Sequence, residues 1–415
     1  MNWSTLTLIP IGPAPVGMRF ESLIRCVMII EPWIRDNVCL NAHPEGCSFQ
    51  VRDQVRYVTD RDSIDGPKRV LIIGASNGYG LAARIVSTFG SAAATIGVAY
   101  ERPPKGRRTA SAGWYNNEAF TALARDQGHR VWNINGDAFS DEIKARVSDV
   151  TGENLGKIDL LVYSIAAPRR EDPQTGELYS SVIRPIGRSY TSKTLDFLTG
   201  EVQTGTCEPA TAEQVAQTVK VMGGEDWALW IRRLFEAGFL AEDFQTVAFS
   251  YIGPELTRPI YRDGTIGKAK KDLEQHVGII NGMLVPLSGR AVIGIQKALV
   301  TRASAVIPAV PLYISLLYKV MKAKGLHENC IQQIYRLYHD FLFSPVPVAT
   351  DDRGRLRLDD WEMRGDVQAE VAELWQQVDN DNIGRLADID GFREEFLRHH
   401  GFGIPGVDYS RDVTP

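Results

Sequence analysis

The segment Tyr251-Ile-Gly-Pro-Glu-Leu-Thr-Arg-Pro-Ile-Tyr261-Arg-Asp-Gly-Thr-Ile-Gly-Lys268-Ala-Lys270-Lys271 carries the most chemistry in the chain. From Ile266 onward, Ile266, Leu273, Val277, Ile280 and Leu284 recur at i, i+7, i+11, i+14 and i+18, as on one helix face, and Lys270 falls on that stripe. A lysine facing a core must be paired or functional, because an unpaired buried ammonium costs several kcal/mol. Lys268 and Lys271 lie on flanks that reach water more easily. Continuous helix would set Tyr261 about 180° from Lys270, but Pro259 and Gly264 put Tyr261 in the loop before the helix, where it can fold back to the lysine. When hydride reaches the β-carbon of an activated double bond, charge gathers on the conjugated carbonyl oxygen. A tyrosine hydroxyl acidified by a nearby lysine can stabilise that enolate and donate a proton. The competing reading is a core tyrosine with a lysine that snorkels to the surface.

A hydride donor needs a nucleotide site, and Gly74-Ala75-Ser76-Asn77-Gly78-Tyr79-Gly80 has the makings of one. Glycines let the backbone approach a pyrophosphate, and a following helix offers free N–H groups and the positive end of its dipole. The G-x-x-x-G-x-G spacing is that of short-chain reductases rather than of G-x-G-x-x-G dehydrogenases. A tight strand-to-helix turn is the bland alternative. Glu101 follows at the end of a second strand, where an acid accepts both adenosine ribose hydroxyls and repels a 2′-phosphate, favouring NADH over NADPH. Arg102, Lys105, Arg107 and Arg108 nearby can reverse that preference. Two further strand ends, Asn135-Gly-Asp137-Ala138 and Tyr163-Ser-Ile165-Ala166, point to adenine near Asp137 and nicotinamide near Ile165, or are ordinary turns.

The elements that must hold these residues are legible as an alternation. Arg69-Val-Leu-Ile-Ile reads as a buried strand, Leu81 to Val86 as a helix, Thr95 to Glu101 as a strand. Helices near 117–127 and 140–150 and strands near 130–134 and 158–164 follow, which predicts a Rossmann-like doubly wound parallel sheet, class α/β. Residues 169–210 read as an excursion, a lid or a strand pair, before helices resume around Ala212. Strands at 246–250 and 291–295 flank a helix from Thr265 to Leu284. The last third, Pro308 to Phe402, reads as mainly helical, with N-caps at Asp359 or Asp360; its apolar stretch Ile307 to Tyr318 is core or the wall of an acyl chain. The stretch through Pro44 reads as irregular, then as a polar linker to Pro67.

Composition bounds the rest. A 415-residue chain that is 44% hydrophobic and 23% charged has the make-up of a folded α/β enzyme, one elaborated domain or two fused lobes. A net charge of −5 gives no general attraction to nucleic acid or anionic membrane. Five scattered cysteines without C-x-x-C spacing read as free thiols of a reducing cytoplasm. The histidines lack metal-ligand spacing, so no metal is expected, and Asp351 and Asp352 read as turn residues. No run of about 20 apolar residues suggests a membrane span, and residues 1–27 lack a signal-peptide core.

Taken together, these residues resemble the trans-2-enoyl-ACP/CoA reductases of the FabV type, an enlarged relative of the short-chain reductases with a Tyr-x8-Lys pair. The resemblance runs from Met28 to about Tyr409 and includes Asn41 to Cys47, the glycine turn, Ala112 to Asn116, Asn135 to Ser140, Val221 to Trp227 and Leu358 to Trp361. It implies that Tyr261 is the proton donor, Tyr251 contacts substrate, and Lys270 binds the cofactor with help from Lys271. It further implies an NADH site of Gly74, Ala75, Ser76, Asn77, Gly78, Tyr79, Tyr100, Glu101, Asp137, Ala138, Ile165, Ala166, Leu299, Val300 and Thr301. The implied activity is NADH-dependent reduction of enoyl thioesters of acyl carrier protein or coenzyme A by a cytoplasmic monomer, the last step of fatty-acid elongation. The implied division is an extension over 1–27, from an upstream start codon, a reductase domain over 28–409, and a tail over 410–415. Arg258 and Arg262, where the family has aromatic residues, and Asn77, where serine is common, are departures that bear on acyl-chain preference. Two alternatives stand beside this reading: a carbonyl reductase of the short-chain type, although its usual Tyr-x3-Lys spacing is absent around Tyr261, and a catalytically silent NAD-binding regulator, which would have no need for both Tyr261 and an inward Lys270.

Overall fold

The computed structural model describes residues 27–35, 37–301, 304, 307–346 and 348–415; the extension read over 1–27 lies outside them except for Val27. A short hairpin, β1 (Ile34–Arg35) with β2 (Val38–Cys39), precedes helix α1 (Pro44–Thr59). Strand and helix then alternate through β3 (Arg69–Ile73), α2 (Gly78–Ile85), β4 (Ala94–Ala99), α3 (Ala112–Asp126), β5 (Val131–Asn135), α4 (Asp141–Asn154) and β6 (Ile158–Tyr163). The excursion folds as two antiparallel hairpins, β7 (Arg169–Glu171) with β8 (Leu178–Ser180) and β9 (Tyr190–Asp196) with β10 (Glu201–Cys207). The chain returns through α5 (Ala212–Met222), α6 (Glu225–Glu236), β11 (Leu240–Ser250), α7 (Thr265–Leu284) and β12 (Arg290–Ile295). It ends with α8 (Val310–Ala323), α9 (Cys330–Arg336), β13 (Leu356–Arg357), α10 (Gly365–Gln377), α11 (Ile383–Leu386) and α12 (Ile389–Arg398).

The seven-stranded sheet has the order β13-β12-β11-β6-β3-β4-β5, with every neighbouring pair parallel. Strands such as Arg69-Val-Leu-Ile-Ile are apolar at successive positions because both sheet faces are covered. Val70, Ile72, Val162 and Val247 pack toward α1, α2 and α9; Leu71, Ile73, Leu161 and Ile293 pack toward α4, α6 and α7. The strand order reverses between β3 and β6, and in such sheets ligands bind outside the carboxyl ends at that point. A third apolar cluster joins α8 to α12 and to the β9–β10 hairpin through Tyr313, Leu317, Leu195, Phe197, Phe392 and Phe396. It walls the carboxyl edge beside β12.

Three sequence expectations need correction. The stretch read as irregular and then as a polar linker contains α1, whose Val51, Val55 and Val58 form a narrow buried stripe among charged neighbours. Its start is capped by buried His43, whose ring nitrogen accepts from the Gly46 N–H at 3.2 Å. Asp359 and Asp360 cap no helix: Asp359 pairs with Arg357 at 2.6 Å and Asp360 with Arg336 at 3.0 Å, while α10 begins at Gly365. The two-residue β13 was not anticipated in the mainly helical last third. No helix among the described residues is long and apolar enough to cross a membrane, and none of their His, Cys, Asp and Glu side chains form a metal-holding group.

Candidate active site

The glycine turn joins β3 to α2 at the strand-order reversal. Gly74 adopts φ +89, and a side-chain carbon there would sit 2.1 Å from the Ser164 carbonyl oxygen, so the turn closes onto the end of β6 only with glycine. At Gly80 such a carbon would fall 1.9 Å from the Gly74 carbonyl oxygen, which ties α2 down on the turn. Gly78, at φ +52, faces open space on its outer side. Asn77 caps α2 by accepting from the Gly78 N–H at 2.8 Å, so asparagine does the work of the expected serine. Gly74→Ala is therefore expected to lower unfolding free energy by at least about 1–3 kcal/mol, from strain plus the carbonyl clash, and to weaken nucleotide binding. Urea melts and NADH titration would check this; an unchanged midpoint would contradict the packing described.

Glu101 lies just beyond β4, its main chain clasped by Asn135 through two 2.8 Å hydrogen bonds and its carboxylate accepting from Ser76 Oγ at 2.6 Å. Gly113 at the start of α3 leaves it room, since a side-chain carbon there would meet Glu101 at 2.2 Å. Asn116 of the same helix donates to the Ser76 carbonyl at 3.0 Å. Tyr100 is 78% exposed at the same edge, a platform open to a ligand. Asp137 accepts from the Phe139 N–H at 3.0 Å, which shapes the turn that carries Ala138 past β5. Gly74 through Gly78, Tyr100, Glu101, Asp137 and Ala138 thus form one band along the carboxyl ends of β3, β4 and β5. The cradle fits a dinucleotide: a positive-φ glycine turn at a helix N-terminus with an acid at the next strand end.

The band leads to a cavity of about 190 Å³ lined by Tyr79, Ile165, Ala166, Tyr251, Tyr261, Lys270, Leu299 and Thr301 among others. Tyr261 lies in the turn before α7, as its neighbours Pro259 and Gly264 predict. Its carbonyl accepts from the Gly264 and Gly267 N–H groups at 3.2 and 3.0 Å, which folds the turn onto the first residues of the helix. Gly267 permits this approach, because a side-chain carbon there would sit 1.9 Å from the Arg262 carbonyl oxygen. The Lys270 Nζ donates to the Phe249 carbonyl at 3.1 Å. Among the described residues no hydrogen bond joins it to the Tyr261 hydroxyl; the cavity brings the two together. Burial pushes the Lys270 ammonium down to about 8 and the Tyr261 phenol up. Lys268 and Lys271 are exposed on the helix flanks and do not line the cavity.

Tyr251 packs edge-on against Tyr261, ring centres 4.9 Å apart, and its hydroxyl donates to Glu362 at 2.9 Å. Glu362 is fully buried; it also accepts from the Tyr313 hydroxyl at 2.6 Å and the Ala298 N–H at 2.6 Å, and burial raises its pKa. The sequence reading missed this carboxylate, along with Ser250, Gln296 and Lys297 at the ends of β11 and β12. For the last three a signal existed, since they close apolar strands at the edge where the other site residues were sought. Val300 does not line the cavity: it is buried, its N–H donating to the Tyr318 hydroxyl at 3.1 Å. Arg258 is drawn away by Glu255 and Asp263 at 3.0 and 2.9 Å, and Arg262 is exposed.

Known proteins resemble this chain over nearly its whole length. Residues 29–106 match the NAD(P)H binding domain of trans-2-enoyl-CoA reductase, 108–343 the trans-2-enoyl-CoA reductase catalytic region, and 350–413 a family described as enoyl reductase FAD binding domain. An enoyl-[acyl-carrier-protein] reductase [NADH] of Coxiella burnetii is 53% identical over 389 residues, 93% of this chain and 96% of its own. A trans-2-enoyl-CoA reductase [NADH] of Clostridium perfringens is 51% identical, covering 93% of this chain and 99% of its own. The crystal structure of Clostridium acetobutulicum trans-2-enoyl-CoA reductase in complex with NADH superimposes with a TM-score of 0.91 at 44% identity, over 93% of this chain and 98% of that one. The Treponema denticola enzyme in complex with NAD gives 0.90 at 47% identity, over the same shares. With that sheet, that glycine turn and these matches, the chain belongs to the trans-2-enoyl-CoA reductase family.

Proposed function

We propose that this protein uses NADH to reduce the trans-2 double bond of enoyl thioesters, carried by acyl carrier protein or coenzyme A, to the acyl thioester. The observation that carries this reading is the convergence of Tyr261, Lys270 and Tyr251 on one cavity at the carboxyl edge, beside the glycine turn. Reduced nicotinamide, when bound, supplies the hydride. Gly74 to Tyr79, Tyr100, Glu101, Asp137, Ala138, Ile165, Ala166 and the strand end Leu299–Thr301 are the residues proposed to hold the dinucleotide, Val300 by shape alone. Tyr261 is proposed to hold the thioester oxygen as it gains charge and to donate the proton; Lys270, charged below about pH 8, favours that transfer and anchors the cofactor ribose. The Tyr251 hydroxyl proton is committed to Glu362, so Tyr251 meets substrate with its ring or as an acceptor. Ile307, Val310 and Ile314 line the same cavity and suit an acyl chain.

The flavin named in the description matched by residues 350–413 is given no place here: none of those residues lines the cavity, and Val367, Val371, Phe392 and Phe396 pack against α8 instead. No step is assigned to that group. The finer proposals are a cytoplasmic monomer at the last step of fatty-acid elongation and a functional unit over 28–409.

NADH oxidation with crotonyl-CoA, with NADPH and acetoacetyl-CoA as controls, tests the reading. Turnover that requires NADH and crotonyl-CoA is the expected result. Activity confined to acetoacetyl-CoA would favour a carbonyl reductase, and NADH binding without turnover on any thioester would favour a regulator.

A further inference from the structure

Gln296 follows β12 and is 2% exposed, yet neither its amide nitrogen nor its amide oxygen has a hydrogen-bond partner among the described residues. Its side chain folds back over Gly294, whose missing side chain would sit 3.1 Å from the Gln296 nitrogen, and it lines the cavity with Lys270 and Ile165. Its own main chain is fixed, the N–H donating to the Ser250 carbonyl at 2.9 Å. The Ser250 hydroxyl beside it, also on the cavity wall, is likewise buried without a partner among the described residues. A buried amide left unpaired is costly, so a ligand group that completes it is favoured.

The main chain just beyond is differently disposed. The Leu299 carbonyl accepts from Ser304 Oγ at 2.7 Å, the Val300 N–H donates to Tyr318, the Val300 carbonyl bonds His399 Nε2 at 2.7 Å, and the Thr301 N–H donates to Ser304 Oγ at 2.8 Å. These groups are engaged within the protein, whereas the Gln296 amide is open on both its donor and its acceptor side. A thioester carbonyl only accepts and would leave the Gln296 oxygen unpaired. A second carboxamide pairs with both atoms. We infer that Gln296 is the positioning residue that reads the carboxamide of the nicotinamide ring and so fixes which way the ring lies in the cavity. This rests on the NADH reading above.

The test is calorimetric titration of the full-length protein with NAD and with 3-acetylpyridine adenine dinucleotide, in which a methyl group replaces the amide nitrogen, for the wild type and Gln296→Met. Wild type is expected to prefer NAD by about tenfold, from one unpaired buried acceptor, and Gln296→Met to bind the two alike. The ligand-free variant is expected to melt no lower than wild type, since an orphaned amide is removed; should it misfold, Gln296→Leu, which likewise lacks the acceptor, gives the same comparison. A preference for NAD that survives substitution, or none in the wild type, overturns the inference and leaves the NADH reading intact. A rise confined to the crotonyl-CoA KM assigns Gln296 to the thioester and also overturns it. Failure of the wild type to bind either dinucleotide overturns both.

Discussion

Tyr261→Phe is expected to lower kcat for crotonyl-CoA reduction by about 10²–10⁴, the range of a positioned general acid, with little change in NADH affinity. The reason lies in what the hydroxyl does and does not touch. The Tyr261 ring is held by its edge contact with Tyr251 and its turn by the main-chain bonds to Gly264 and Gly267. Its hydroxyl bonds to no other described residue. Removing that one oxygen therefore leaves turn and packing in place, and thermal stability should move by no more than about 0.5 kcal/mol. A large rate loss without a stability loss is the mark of a group spent on the transition state rather than on the fold. Stopped-flow NADH oxidation beside a thermal melt separates the two. Equal rates would remove Tyr261 from the chemistry and leave Tyr251 as the nearer candidate.

The legible part of the molecule was the part built from local patterns. The helix from Thr265 to Leu284 has the bounds its apolar stripe predicts, and Tyr261 falls outside it for the reason Pro259 and Gly264 suggest. The alternation of apolar runs with helical stretches foretold the parallel sheet, and the glycine turn its place in it. What stayed hidden depends on distant parts of the chain. Glu362 looks like one more acid in the run Asp359-Asp360-Trp361-Glu362 until the fold brings it beneath Tyr251, 111 residues away in sequence. Helix α1 was misread because only a thin stripe of valines is apolar, and its burial is supplied by the sheet and α9. Asp359 and Asp360 have the residue type of caps but are held in ion pairs by Arg357 and Arg336. Residue type shows what a side chain can do; the partner decides which of those things it does.

Lys270 should show the second large effect, and with it a conflict between stability and function. Lys270→Met is expected to lower kcat/KM by about 10² or more through the loss of the cation beside Tyr261 and the ribose. The same change should raise the melting temperature at neutral pH. Burial depresses the folded-state pKa of this lysine from its usual 10.5 to about 8, so below pH 8 the folded protein carries an ammonium that the unfolded chain solvates better. That cost is fully present below about 8 and fades as pH rises toward 10.5, where both states are neutral. The gain in Lys270→Met over wild type should fade over the same window. In the wild type, kcat/KM should fall as pH rises through about 8, and Lys270→Arg, which stays charged, should lose that limb while keeping part of the activity. Melting curves and pH–rate profiles on the three proteins test both halves. A Lys270→Met variant that is less stable at pH 7 would mean that the lysine is placed for packing. A more stable but inactive one would show that the fold tolerates a poorly solvated cation because the reaction needs it there.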